Sequence, residues 1–193
     1  MKKLKFLFIG IVSGLAFSLT SCSSNNDNSV DNKKEAEQHN DAKFDNKSEK
    51  DAQFDVDAAD ISLTETILAQ LAEKNASMSD TKELAMMMDK DHKKAYDDLA
   101  PLAAKKTITI PTAMSESSQK DYNNLMEKRG NDFDKKYCDM MVSGHKDAID
   151  KFEKASKDAV DPDIQAWATN MLPTLRKHLD MAMNFQEKCK NLK

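Results

Sequence analysis

The chain has 193 residues, of which 39% are hydrophobic and 32% are charged, and it carries a formal net charge of -4. This length suits one modest domain with some poorly ordered chain beside it. The acidic balance argues against nucleic-acid binding, since no basic patch with interleaved aromatic residues is present. Four glycines and four prolines leave little turn chemistry for a fold of many β-strands.

The first residues have the pattern of a targeting segment. A basic stretch, MKKLK, precedes the apolar run FLFIGIVSGLAFSL, which is too short to span a bilayer comfortably. The tetrapeptide LTSC then ends at Cys22 and resembles the bacterial lipobox, in which the cysteine is lipidated and becomes the new N-terminus. We therefore predict a lipoprotein signal peptide over residues 1–21 and a lipid anchor on Cys22. An ordinary signal peptide followed by a chance cysteine is the alternative.

A polar segment follows the predicted anchor. Residues 23–50 are rich in Asn, Asp, Ser and Lys and nearly free of large apolar side chains. Such a segment cannot bury enough surface to offset the entropy lost on ordering. We therefore predict a lipidated cysteine and a disordered tether over residues 22–50, followed by a folded domain over residues 51–190. His39 falls in the tether, where we expect it to be solvated.

Helical periodicity becomes regular beyond the tether. Apolar residues recur at spacings of three and four, which predicts long amphipathic helices. Their approximate ranges are 51–76, 80–105, 131–158 and 162–190, with a short extra helix over 117–128. Asp161 followed by Pro162 is typical of an N-cap with proline at the first helical position. The pattern predicts an all-α protein, an up-down-up-down four-helix bundle whose short extra helix lies between the second and third long helices.

Each apolar stripe contains one strongly polar residue near the middle of its helix. These residues are Glu65, His92, His145 and His178. In an up-down-up-down bundle the hairpin turns near Met78 and Val160 lie at the same end. At a rise of ~1.5 Å per residue, the four polar residues then lie roughly 20–27 Å from that end. We predict that they converge in one buried layer, with His178 the most out of level and the first to be lost from a site.

A buried layer of one carboxyl group and three imidazoles can be satisfied in two ways. Glu65 can accept hydrogen bonds from one or two histidines in a core network. Alternatively, the four side chains can bind one transition-metal ion, such as Zn, Fe, Cu or Mn, because neutral imidazoles and a carboxylate are ordinary ligands for these ions. Facing side chains of a bundle are a usual place for such a site. The sequence leaves both interpretations open.

Asp89 is a possible additional ligand. It precedes His92 by three residues and lies on nearly the same helical face, which resembles half of the Glu-x-x-His element of di-iron bundles. The positions three residues before the other two histidines hold Val142 and Leu175, so the four-carboxylate set of a di-iron centre is missing. A mononuclear site, or none, fits better than a ferroxidase centre. A solvated edge position is the alternative for Asp89.

Sulfur-containing residues are the remaining candidates. Several of the 12 methionines fall on or beside the apolar stripes. Thioethers favour copper(I), although core filling explains these methionines more simply. Cys138 and Cys189 lie towards the same end of their helices, but a register about four residues out leaves a disulfide between them open.

Several segments together resemble a bacterial family named only as domain of unknown function 4142. The segments, within residues 51–185, are DAQF (51–54), LAEKNA (71–76), MMMDKDH (86–92), LAAKK (102–106), FDKKYCDMMVSGH (133–145) and LPTLRKHLDMA (172–182). The resemblance implies a ferritin-like four-helix fold, exported or anchored at the cell envelope, with no established activity. It carries over the same glutamate and three histidines. The glycine that often follows LAAKK is here Thr107, a departure that affects only a turn.

Three functional hypotheses follow. The first is metal binding at the Glu/His layer by a lipid-anchored envelope protein, for metal homeostasis or protection against metal or oxidative stress. The resemblance implies an anchor in the outer membrane of a Gram-negative bacterium, with the domain facing the periplasm or the surface. Ser23 after Cys22 is compatible with outer-membrane sorting. The second is a structural or interaction module whose polar layer only fixes the packing of the core. The third, an oxidoreductase using the metal, is the least supported because the carboxylates are too few.

Overall fold

The computed structural model describes residues 31–190, which form six α-helices and no β-strand in that range. The helices are α1 (Asn32–Asp41), α2 (Ser48–Asn75), α3 (Ser79–Lys105), α4 (Glu116–Met126), α5 (Gly130–Asp158) and α6 (Pro162–Lys190). The four long predicted helices and the short extra helix are therefore found close to their predicted bounds. The predicted signal peptide and Cys22 lie outside the described residues.

Two antiparallel hairpins make up most of the helical bundle. The tightest packing joins α2 to α3 and α5 to α6, and the hairpins meet through α2 against α5 and α3 against α6. As predicted, the second hairpin turn closes on a capped helix, because Asp161 Oδ1 accepts hydrogen bonds from the amides of Asp163 (2.9 Å) and Ile164 (3.3 Å). Two apolar clusters fill the interior, one towards each end of the long helices.

The two hairpin turns lie at opposite ends of the long helices. Asp134, near the start of α5, accepts hydrogen bonds from the amides of Ser77 and Met78 in the α2–α3 turn, at 3.1–3.3 Å. Asp51, near the start of α2, does the same for Val160 and Asp161 in the α5–α6 turn. The predicted up-down-up-down order is therefore wrong. The order is up-down-down-up, because residues 106–129 with α4 return the chain to the opposite end before α5 begins.

Asp134 is expected to contribute strongly to this arrangement. Its side chain is fully buried and caps a turn of the other hairpin. The Asp134→Ala substitution should lower the free energy of unfolding by about 1.5–3 kcal/mol, since the amides of the turn lose their carboxylate acceptor. Urea denaturation measures this change. Asp132→Ala, an exposed residue in the first turn of the same helix, is the control, and an equal loss there would contradict the assignment.

The reversed order brings the polar layer to one level. In the first hairpin the two polar residues lie 13 and 14 residues from Met78 in the turn. In the second hairpin, Asp134 of α5 and Cys189 of α6 both contact Met78. His145 lies 11 residues from Asp134, and His178 lies 11 residues from Cys189. At ~1.5 Å per residue the spread is roughly 5 Å, which is less than one turn. No kink at Pro173 is needed to level His178.

The prediction of a disordered tether up to residue 50 is wrong for residues 32–50. Helix α1 forms there and packs on α2, and α2 itself begins at Ser48. The buried Asn40 side chain exchanges two hydrogen bonds with the backbone of Thr109, at 2.8 and 2.9 Å. Lys33 pairs with Asp57 of α2 at 2.6 Å. Specific polar contacts with the rest of the fold order this segment despite its low hydrophobicity, and His39 is exposed on its surface.

Thr107 holds a backbone conformation that favours glycine. Its φ is 58°, in the left-handed region, just after α3 ends. The amides of Thr107 and Ile108 donate to the carbonyls of Ala104 (3.0 Å) and Ala103 (2.8 Å), which is the Schellman pattern of helix termination. The turn therefore accepts threonine where the resembling family often has glycine, at a conformational cost.

Replacing Thr107 with Gly is expected to stabilise the chain by about 1 kcal/mol, because glycine adopts positive φ without a steric penalty. Thermal or urea unfolding measures the gain. Thr107→Ala serves as the control, since alanine keeps the Cβ that causes the strain. An equal gain from both substitutions would indicate that the threonine side chain, rather than the backbone, is responsible.

Candidate metal centre

Three of the four predicted residues form one compact cluster. His92 on α3, His145 on α5 and His178 on α6 are all almost fully buried, between the two apolar clusters of the core. The Nε2 atoms of His92 and His145 are 3.3 Å apart, and His145 Nε2 is 3.2 Å from His178 Nδ1. One ring nitrogen from each residue lies within 4.8 Å of the other two, a grouping able to hold a metal ion. We call these residues the histidine triad.

The outward-facing nitrogens fix the protonation of two of the rings. His145 Nδ1 lies 2.9 Å from the carbonyl oxygen of Met141 and must donate to it, because a carbonyl only accepts. His178 Nε2 lies 3.0 Å from Oδ2 of Asp91 and donates to that carboxylate. In neutral rings the inward nitrogens, His145 Nε2 and His178 Nδ1, then both present lone pairs to each other across 3.2 Å.

Burial keeps these imidazoles neutral. It lowers the pKa of His92 well below its usual value, and the neighbouring His145 and His178 lower it further. It also lowers the pKa of His145 to about 4. Burial lowers the pKa of His178 as well, although its hydrogen bond to Asp91 opposes the shift. A proton shared between the facing nitrogens is therefore disfavoured at neutral pH, and their repulsion stays uncompensated without another cation.

Two of the three nitrogen separations match tetrahedral coordination, and the third, between His92 and His178, is within 4.8 Å. A metal ion bound to imidazole at 2.0–2.1 Å places two tetrahedral ligand nitrogens about 3.3–3.4 Å apart. The observed separations of 3.2 and 3.3 Å agree with this value. A hydrogen bond from the outer nitrogen of a ligating histidine to a carboxylate or backbone carbonyl is also the usual support of a protein metal site. Three ligands leave a fourth coordination position open.

Glu65 lies beside the triad rather than within it. Its Oε1 is 3.7 Å from His145 Nδ1, the nitrogen that faces away from the other two histidines. Its Oε2 has no hydrogen-bond partner among the described residues. Burial raises the pKa of Glu65 to about 8, so the carboxyl group is mostly protonated at neutral pH. Gly144 leaves it room, since a Cβ there would lie 3.0 Å from Oε1.

The residue outside the cluster is thus Glu65, and the prediction that His178 would be the first to be lost is wrong. That prediction measured all four residues from turns assumed to lie at one end, with Val160 as the reference for α5 and α6. The contacts of Asp134 and Cys189 with Met78, at the opposite end, place His145 and His178 level with each other. In the observed order His178 supplies one of the three inward nitrogens.

Asp89, the possible additional ligand, lies away from the triad, whereas Asp91 contacts it. Asp89 accepts a hydrogen bond from Gln70 at 2.8 Å on the surface, which fits its alternative reading as an edge residue. Asp91, which sequence reasoning missed, holds His178 in place. Position 91 lies about 100° around the helix from His92, off the apolar stripe. The stripe therefore gave no signal for it, because its partner is on another helix.

The cysteines meet despite the predicted register. Cys138 and Cys189 are buried free thiols whose sulfur atoms are 3.9 Å apart. They lie on α5 and α6 of one antiparallel hairpin, so this contact does not depend on the order of the hairpins.

The fold and the cluster define the class of protein: an all-helical domain with a buried histidine triad that can hold a metal ion. The chain matches the family described as Domain of unknown function (DUF4142) over residues 34–185, and it belongs to that family. The match begins inside α1, which agrees with the ordered structure of that segment. The chain matches no curated protein and no solved structure. Among residues 31–190, every helix is too short or too polar to cross a membrane.

Proposed function

We propose that this protein binds one divalent transition-metal ion through His92, His145 and His178. The observation that carries the proposal is the pair of inward lone pairs on His145 and His178, 3.2 Å apart, each fixed by a hydrogen bond on the far side of its ring. A cation between them converts this repulsion into ligation. Burial lowers the pKa of both imidazoles and so disfavours a proton between the two nitrogens. A metal ion is therefore the cation that we propose for this position.

A hydrogen-bonded core network is the competing interpretation. In it, His92 Nε2 donates a proton to His145 Nε2 across 3.3 Å. That bond satisfies one of the inward nitrogens and leaves the contact between His145 and His178 unchanged. Glu65 offers no remedy, because its nearest approach to the triad is to the outward nitrogen of His145. The network therefore accounts for less of the geometry than a metal ion does.

The ligand set narrows the choice of metal. Three neutral imidazoles suit Zn, Cu, Fe or Ni, whereas Mn prefers carboxylate and water oxygen. The absence of a carboxylate among the three clustered ligands makes Mn the weakest of the four ions considered from the sequence, and zinc or copper(II) the best. With three ligands the ion keeps an open position that a water molecule or a further ligand can fill. The role that we propose for the bound ion is metal homeostasis or protection against metal stress.

The helix order supports a ferritin-like assignment for the fold. One long crossover between two helical hairpins is the connectivity of ferritin-like bundles. Residues 106–129 form such a crossover here, from the end of α3 to the start of α5. We infer a ferritin-like four-helix bundle with α1 and α4 added, in which a mononuclear histidine site stands where a di-iron centre would need four carboxylates.

We further propose that the domain works at the bacterial cell envelope, held at the outer membrane by lipid on Cys22. The basic and apolar segments ahead of LTSC support this, and residues 23–30 then join the anchor to α1. Expression in a Gram-negative host with labelled fatty acid should label the parent chain and not Cys22→Ser. Labelling of both chains, or of neither, would contradict the anchor.

Metal content tests the main proposal. The full chain is stripped with chelator, dialysed separately against Zn²⁺, Cu²⁺, Fe²⁺ and Mn²⁺, and analysed for bound metal. The parent should retain one ion per chain, and His92→Ala/His145→Ala should retain none. Asp91→Asn should bind about 10–100-fold more weakly, since it removes the group that orients His178. His39→Ala, which alters the exposed fourth histidine, should bind as the parent does.

The same measurements can overturn the proposal. A parent chain that retains no stoichiometric metal after all four dialyses supports the structural or interaction module instead. Retention that survives loss of His92 and His145 would place the ion elsewhere on the chain. Circular dichroism of each variant ensures that lost binding is not lost folding.

A further inference from the structure

Cys189 Sγ has two sulfur neighbours at the end of the bundle where the α2–α3 turn lies. Cys189 Sγ, in the last turn of α6, is 3.9 Å from Cys138 Sγ on α5 and 3.6 Å from Met78 Sδ in the turn. Both thiols are buried, and Met78 is half-buried. Met78 is also held from the backbone side, because its amide donates to Asp134 at 3.3 Å. We call these three residues the sulfur cluster.

The spacing of the sulfur cluster fits a shared metal ion. An ion about 2.3 Å from each sulfur would subtend roughly 116° across the 3.9 Å pair and roughly 103° across the 3.6 Å pair. The first angle lies between the tetrahedral and trigonal values, and the second lies slightly below the tetrahedral value. Within each of these two pairs, the sulfur atoms therefore need little movement to bind one ion. A disulfide, in contrast, would require the two thiol sulfurs to approach by about 1.9 Å.

We propose that the sulfur cluster is a second metal site, separate from the histidine triad, that binds a soft monovalent ion of the copper(I) class. Two thiols and a thioether are the donors that such an ion prefers over imidazole and carboxylate. Copper(I) arrives already reduced, so binding transfers no electron. Each thiol that becomes a thiolate ligand forms one Cu–S bond and releases one proton to solvent.

The surroundings of the cluster suit this chemistry. Burial raises the pKa of both thiols, so without a metal they stay protonated and poorly reactive towards oxidants. The buried hydroxyl of Thr81 opposes that shift for both thiols by favouring the thiolate form. Further methionines pack around the same apolar cluster, which places additional soft sulfur near the site. They are Met87, Met88, Met140, Met141 and Met181.

The two proposed sites are distinct. Cys138 lies seven residues before His145 on α5, roughly 10 Å along the helix axis, and Cys189 lies 11 residues after His178 on α6. No single ion can bridge that distance. Each site can therefore be removed while the other is kept.

Competition against a chromogenic copper(I) chelator tests the sulfur cluster. The full chain carries Cys22→Ser throughout, so that only two thiols remain, and copper(I) is added to reduced protein without oxygen. We expect the parent to hold one copper(I) ion per chain against the chelator, with ultraviolet absorption typical of copper–thiolate bonds. Cys189→Ala and Cys138→Ser/Cys189→Ser should lose this ion, and Met78→Leu should hold it more weakly.

The controls separate this site from the triad and from general methionine binding. His92→Ala/His145→Ala should keep the copper(I) ion, and Met86→Leu, at an exposed methionine, should bind as the parent does. Copper(I) retained by the double serine variant would overturn the proposal. A folded parent chain with reduced thiols that holds no copper(I) would overturn it as well. Circular dichroism identifies any variant that fails to fold. If the cysteine variants do not fold, the test rests on Met78→Leu, which keeps both buried cysteines: weaker copper(I) binding supports the site, and unchanged binding overturns it.

Discussion

Zinc at a hundredfold excess over its dissociation constant is expected to raise the unfolding temperature of the full chain by about 5–11 °C. An ion that binds only the folded state at this excess adds about 2.7 kcal/mol to the free energy of unfolding. For a chain of 150–250 residues, each kcal/mol shifts the midpoint by about 2–4 °C. The unfolded chain has no preformed site, since the three ligands come from three different helices. Thermal denaturation at several zinc concentrations measures the shift.

The zinc-induced shift should be absent in His178→Ala and unchanged in His39→Ala. Comparing each variant with and without zinc removes the separate effect of losing a buried side chain. The two substitutions are chemically identical and differ in location, since His39 is exposed on α1. A parent chain that shows no zinc-dependent shift, or equal shifts in both variants, would contradict binding at the triad.

Replacing Asp55 with Asn should stabilise the chain by up to about 6 kcal/mol at pH 9 and have little effect near pH 4. Asp55 is fully buried on α2, and neither of its carboxyl oxygens has a hydrogen-bond partner among the described residues. Burial raises its pKa from 3.8 to about 8; the charges of Asp51 and Asp161 add to this shift, and Lys106 opposes it. Between pH 3.8 and about pH 8, Asp55 therefore keeps its proton in the folded state and loses it in the unfolded state.

The sign of the pH dependence follows from that proton. Between about pH 4 and pH 8 the folded chain binds more protons at Asp55, so its stability falls by at most about 1.4 kcal/mol per pH unit as pH rises. Asn does not titrate, so the difference between variant and parent grows over this window and levels off above it. Urea denaturation from pH 4 to 9 measures it. Asp147→Asn, at an exposed position on α5, should show no such trend. A constant difference at all pH values would mean that Asp55 is not the titrating group.

The sequence determined most of the secondary structure and the polar residues of the core. Spacings of three and four placed the long helices within a few residues of their observed bounds, because an amphipathic helix needs one apolar face wherever it packs. The same stripes singled out Glu65 and the three histidines, since a polar side chain stands out against an apolar face. Family membership, expected from the quoted motifs, is also a property of the sequence and is confirmed.

Tertiary structure alone decided how those elements combine. The stripes are the same whether the second hairpin points up or down, so the helix order depended on contacts between hairpins, such as Asp134 with Ser77. That order levels the histidines, leaves Glu65 beside the triad and brings Asp91 to His178. Packing within the α5–α6 hairpin joins the sulfur atoms of Cys138 and Cys189. Helix α1 is ordered by its contacts with Thr109 and α2, which its polar composition does not reveal. Helical periodicity predicts which face of its helix a residue occupies. Which residue packs against that face depends on the order and direction of the helices in the bundle.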